Sequence, residues 1–166
     1  MKAARILVSG VLFFALFTAG AKAEEVDALF SATMTDIHGK SMLFSNFRGK
    51  PLVVNFWMRV CVPCRDEFPV LTALQKKYKK QGLTVLGIAL EEEPDKVREF
   101  LAAYEVRYPV VLAGEQGGVA LTKALGNDEA LLPFTLLIDR RGEVVFRKVG
   151  VFRKSDFQGM AEKLLQ

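Results

Sequence analysis

Two nearly unbroken apolar runs, Leu52-Val53-Val54-Asn55-Phe56 and the stretch from Leu83 to Leu90 (LTVLGIAL), constrain this chain more than any other feature. A strand open to water on one face alternates apolar and polar residues. These runs do not, so both belong inside a sheet covered on two sides. Between them Phe68, Leu71, Leu74 and Tyr78 recur at helical spacing, which predicts a helix from about Val62 to Lys80. Lys76, Lys77, Lys79 and Lys80 suit its C-terminal end, and Gln81-Gly82 stops it. Pro63 falls in the first turn, where proline is tolerated, whereas Pro69 falls inside and predicts a kink.

The flanking segments extend this unit. Leu29–Thr35 and Ser41–Phe44 surround Asp36-Ile37-His38-Gly39, which reads as the turn of an N-terminal β-hairpin. Glu93-Pro94-Asp95 opens a helix carrying a Val97, Phe100, Leu101, Tyr104 stripe, and Glu91-Glu92-Glu93 suits the positive end of that helix dipole. Tyr108–Leu112 reads as a short strand and Val119–Leu125 as a short helix ended by Gly126. Phe134–Ile138 and Glu143–Val149 form a hairpin around Asp139-Arg140-Arg141-Gly142, and Ser155-Asp156 caps a last helix through Leu165. Alternation in the middle predicts parallel strands, and the closing hairpin adds an antiparallel pair. The predicted fold class is α/β, a mixed central sheet with helices on both faces.

The first residues read as an export signal. Lys2 and Arg5 precede an apolar run from Ile6 to Gly20, followed by Ala21-Lys22-Ala23, which predicts cleavage after Ala23. That divides the chain into a leader, 1–23, and one domain, 24–166. The apolar run is shorter than the roughly 20 residues that span a bilayer, so the chain meets a membrane only if the leader is retained as an anchor. Lys2, Arg5 and Lys22 lie in the leader with no acid, so the formal +4 falls to +1 in the domain. A near-neutral domain argues against nucleic acid or anionic lipid as a partner.

Only two cysteines are present, in Cys61-Val62-Pro63-Cys64. A two-residue gap lets one helical turn bring both sulfurs within bonding distance, with one thiol at the helix start, where a thiolate is favoured. A disulfide this short closes almost no loop and so adds little to stability. Zinc would need further ligands, and His38 is the only histidine, so no metal or cofactor is expected. Redox chemistry is the remaining use of the pair.

The run Asn55-Phe56-Trp57-Met58-Arg59-Val60-Cys61-Val62-Pro63-Cys64-Arg65-Asp66-Glu67-Phe68-Pro69 resembles the N-F-W-A-x-W-C-x-P-C-R-x-E-x-P signature of TlpA/ResA-like exported thiol-disulfide oxidoreductases. Downstream, Leu132-Pro133-Phe134-Thr135-Leu136-Leu137-Ile138-Asp139 is similar to that family's cis-proline segment. The resemblance covers roughly Leu29 to the C-terminus and implies a thioredoxin-like fold. It also implies an exported enzyme that exchanges a Cys61–Cys64 dithiol or disulfide with protein substrates, as a reductant. Its electrons would come from a membrane thiol-transfer protein, and cytochrome c maturation is the family's commonest task.

By the same resemblance Cys61 is the nucleophile and Cys64 resolves the mixed disulfide. Pro63 shapes the turn and withholds one N–H from the thiolate, which favours a reductant. Pro133 is the cis-proline that turns the Leu132 backbone toward an extended substrate; the plainer reading is a loop proline before a strand. Glu67 is expected to tune the cysteines and take a proton, with a solvated helix carboxylate as the alternative. Asn55 supports the first reading, because ordinary thioredoxins carry a buried aspartate at that position. Arg65 is read as a solvent-facing charge or a thiolate partner, and Trp57 as a packing aromatic or a rim residue.

Two positions depart from the signature. Val60 stands where tryptophan usually precedes the first cysteine, and Phe134 where a small polar residue usually follows the proline. Bulk lost at Val60 is expected to be partly replaced by Phe134 across the substrate groove, with Val60, Trp57, Leu132 and Phe134 forming the docking surface. A non-catalytic or specialised binding module is the alternative these departures raise. A thiol peroxidase fits less well, because Met58 stands where the Thr or Ser three residues before its reactive cysteine would be.

Overall fold

The computed structural model describes residues 26–166, so the expected leader and its cleavage point lie outside the described residues. Residues 26–31 are helical (α1). They are followed by β1 (Thr33–Asp36), β2 (Ser41–Leu43), β3 (Leu52–Trp57), α2 (Val62–Arg65), α3 (Phe68–Tyr78), β4 (Thr84–Ala89) and α4 (Pro94–Ala103). The chain continues through β5 (Val110–Leu112), α5 (Glu115–Ala124), β6 (Phe134–Ile138), β7 (Val144–Val149) and α6 (Lys154–Leu165).

The strands form one sheet in the order β2-β1-β5-β4-β3-β6-β7. β3, β4 and β5 run parallel, while β6 and β7 run antiparallel to their neighbours. All six residues of β3 are buried, as its apolar run requires. Alternate residues enter different cores. Val53 and Trp57 face α3, α4 and α6 with Phe68, Leu71, Val97 and Phe157, and Leu52, Val54 and Phe56 face α1 and α5 with Leu29, Phe30 and Leu125. The second core closes tightly: a Cβ added at Gly118 of α5 would lie 2.3 Å from Leu90 Cγ.

Three local expectations change. Residues 29–31 are helical rather than the start of a strand, because Leu29 and Phe30 reach the second core from one helix face. The expected continuous helix is divided into α2 and α3, with Asp66 and Glu67 between them. Pro69 has no N–H for the carbonyl four residues back, at Arg65, so the break falls one turn ahead of it. The last helix takes Arg153 as N-cap, and Asp156 sits in the first turn, accepting from Arg153 N at 2.7 Å.

Candidate active site

The site is built where β3 ends. Cys61 N donates to Met58 O at 3.1 Å, closing the turn that leads from the strand into α2. Cys61 is the N-cap of α2 and half-exposed, whereas Cys64 is fully buried in the core. The two are joined as a disulfide with their Cα atoms 5.4 Å apart. An approaching thiol or disulfide therefore meets Cys61, and Cys64 is reached only from within the protein. Few backbone donors are free nearby, since Pro63 has no N–H and Cys64 N is bonded to Cys61 O at 3.2 Å.

The turn is braced from the end of β4. Glu91 accepts from Arg59 N at 2.7 Å and from Arg59 Nε at 3.0 Å, and Glu93 lies 3.3 Å from the same guanidinium. The acidic cluster thus does more than begin a helix; two of its members fasten the loop before Cys61. The signal was present in the sequence, because parallel strands end on the same side of a sheet, and the register pairs Trp57 with Ala89. Arg65 occupies neither expected place. Its guanidinium lies over the rings of Phe100 and Tyr104 at 5.6 and 5.9 Å and donates to Arg59 O at 2.9 Å, a second brace on the turn.

Glu67 is fully buried, which removes the solvated alternative. Asn55 Nδ2 donates to its Oε2 at 2.7 Å, and the Phe152 N–H donates to its Oε1. Burial pushes the carboxyl up to about 7, against these two donors and nearby Lys148, with Asp156 pushing it further up. A carboxyl that changes charge near neutrality, three residues from Cys64, is suited to move a proton. Thr135, which the sequence reading did not single out, accepts from Asn55 Nδ2 at 3.0 Å. Its signal was a lone polar residue in the apolar strand Phe134–Ile138, directly opposite Asn55. Tyr108 is also buried here, and burial followed by the Glu67 charge holds its phenol well above the ordinary value.

The Leu132–Pro133 peptide bond is cis. Because Phe134 pairs with Phe56, this bond lies at the end of β6 that adjoins the end of β3, on the side from which Cys61 follows. Gly150 N donates to Pro133 O at 2.8 Å. Pro133 is buried and Leu132 half-buried.

The expected docking surface divides. Val60 is 77% exposed next to Cys61, and Val62 and Leu131, not foreseen, are exposed apolar residues too. Trp57 is buried, stacked on Phe100 with centroids 5.7 Å apart and edge-on to Phe68, so it packs beneath the turn and forms no rim. Phe134 is 1% exposed and lies in the second core, 5.7 Å from the ring of Phe56. Alternation along β6 sends it to the sheet face opposite Asn55 and Thr135, so it does not replace bulk across a groove. His38 sits in the β1–β2 turn, where its N–H bonds Asp36 at 2.8 Å. No group of side chains able to hold a metal is present among the described residues.

The Redoxin family profile matches residues 18–164. The chain is 31% identical over 132 residues to a thiol-disulfide oxidoreductase ResA of Bacillus cereus, covering 79% of this chain and 73% of that one. It is 33% identical over 131 residues to the ResA of Geobacillus kaustophilus, covering 79% and 72%. Among solved structures it is similar to a thiol:disulfide interchange protein of the thioredoxin family from Chlorobium tepidum TLS. That match has a TM-score of 0.70 and 28% identity, and covers 82% of this chain and 94% of that one. The sheet described above is accordingly a thioredoxin-like fold.

Proposed function

The chain belongs to the Redoxin family and is a thiol-disulfide oxidoreductase, and from that premise we propose that it works as an exported reductant of protein disulfides. The observation that carries this reading is the asymmetry of the pair, with one sulfur accessible and the other buried three residues from a carboxyl that titrates near neutrality.

In the proposed cycle the Cys61 thiolate attacks one sulfur of a partner's disulfide. The partner's bond breaks, its leaving thiolate takes a proton, and a mixed disulfide links the two proteins. Cys64 then passes its proton to ionised Glu67, and its thiolate attacks the Cys61 sulfur. The Cys61–Cys64 bond forms, the second partner thiolate leaves, and two electrons have moved to the partner. A dithiol donor, by family resemblance a membrane thiol-transfer protein, resets the pair. Scarcity of backbone donors around Cys61 leaves its thiolate weakly stabilised, which disfavours the reduced form and so supports net reduction. Reduction of haem-attachment cysteines in cytochrome c maturation is the task we propose for it. No helix among the described residues is long and apolar enough to cross a membrane.

The test is substrate trapping. Cys64→Ala should accumulate a Cys61-linked mixed disulfide with its partner, and Cys61→Ala should accumulate none. Failure to reduce insulin in the presence of a dithiol, together with an empty trap, would overturn the reading.

A further inference from the structure

Glu67 does not stand alone in the core. The register places Asn55 of β3 opposite Thr135 of β6, and Thr135 opposite Lys148 of β7. Directly paired residues of antiparallel strands share a sheet face, so these three polar side chains form a row across an otherwise apolar surface. At one end Asn55 bonds Glu67. At the other, the Lys148 ammonium lies 2.6 Å from Asp156 Oδ2, with both side chains only partly exposed.

A second link closes the arrangement through the backbone. Two consecutive amides in the segment between β7 and α6 are held by two different carboxylates. Phe152 N donates to Glu67, and Arg153 N donates to Asp156 at 2.7 Å. The buried carboxyl and the ion pair thus grip the same short piece of chain. From this geometry we propose that the Lys148–Asp156 ion pair governs whether Glu67 holds its proton, and that both are positioning residues for the exchange reaction. Its consequence for activity rests on the reading above, in which Glu67 takes the proton of Cys64.

The charges around Glu67 make the direction of each effect definite. Lys148 of β7 favours the carboxylate and Asp156 of α6 disfavours it. Tyr108, ahead of β5, stays neutral because its phenol is held well above the ordinary value. Asn55 and Thr135 are uncharged, and Arg65 of α2 is turned to the Phe100 and Tyr104 rings. At the N-cap of α2 and within it, Cys61 and Cys64 carry no charge as a disulfide. Opposite charges at one remove therefore shift Glu67 in opposite directions, whereas simple loosening of the β7–α6 segment would shift it one way for both.

The experiment follows the Glu67 carboxyl by ¹³C NMR across pH in the oxidised wild type, Lys148→Met, Asp156→Asn and Lys148→Arg. Lys148→Met should raise the midpoint and Asp156→Asn lower it, each by on the order of half a pH unit for one partly screened charge, with Lys148→Arg near wild type. Asn at 156 keeps an oxygen for Arg153 N, so the helix start survives. Midpoints that move in the same direction in Lys148→Met and Asp156→Asn, or that move in neither, overturn the proposal. The pH profile of disulfide reduction is then measured on the same proteins. Opposite NMR shifts with unmoved profiles would support the ion-pair control and overturn the role given to Glu67.

Discussion

Asn55 and Glu67 are joined by a 2.7 Å hydrogen bond between two fully buried side chains. One lies on a strand read as part of an apolar run, and the other in the break between two helices. The bond fixes a titratable carboxyl beneath the active-site helix, where burial sets its proton affinity more strongly than its donors do.

A raised carboxyl makes folding favour the protonated form. Between the ordinary value of 4.5 and about 7 the folded state binds the proton that the unfolded state has lost. Stability from this group is therefore complete below about pH 4.5 and falls as pH rises through 7. The loss is on the order of 3 kcal/mol for a shift of this size. Glu67→Gln should flatten that slope, measured as urea unfolding of the oxidised protein from pH 4.5 to 8. An unchanged slope would place the titration elsewhere.

Glu91→Ala removes the acceptor of Arg59 N together with one of the two ionic partners of its guanidinium, leaving Glu93. A partly buried amide left without an acceptor costs about 1–3 kcal/mol. Faster amide exchange should be confined to the turn Met58–Cys61, and disulfide reduction should fall several-fold. Uniform protection across the turn would show that the remaining contacts, from Arg65, Glu93 and the Cys61 N–H, suffice to hold it.

Val60→Ser should leave stability within about 0.5 kcal/mol, because the side chain is exposed. If this residue meets the substrate, reduction of a protein disulfide weakens while reduction of a small aromatic disulfide does not. Equal rates on both for mutant and wild type would remove Val60 from the docking surface.

Phe134→Ala should cost about 3–5 kcal/mol, the range for emptying a buried aromatic site. Its ring packs on Phe56 in the core away from Glu67. The pH dependence of thiol alkylation should therefore match wild type, and a shifted profile would contradict this placement.

Much of the site was legible where the chemistry is local. Cys61 and Cys64 are brought together by a spacing of three along a helix, which needs no tertiary information. What escaped were contacts set by strand neighbours. Thr135 belongs to the site because β6 pairs with β3, although 80 residues separate it from Asn55. Glu91 belongs because β4 ends beside β3. Phe134 was misplaced by adjacency to Pro133, since alternation in a strand sends consecutive side chains to opposite faces.

Periodicity and spacing by themselves determined the α/β class, the parallel centre of the sheet and the reactive pair, because these follow from how residues repeat along a short stretch. Only the tertiary structure decided that Glu67 is buried rather than solvated, that Trp57 and Phe134 are core, and that Lys148 and Asp156 lie at the edge of the same polar row. The reason is physical. A side chain's charge state and exposure depend on which distant elements exclude water from it, and the register of strands far apart in sequence sets that arrangement.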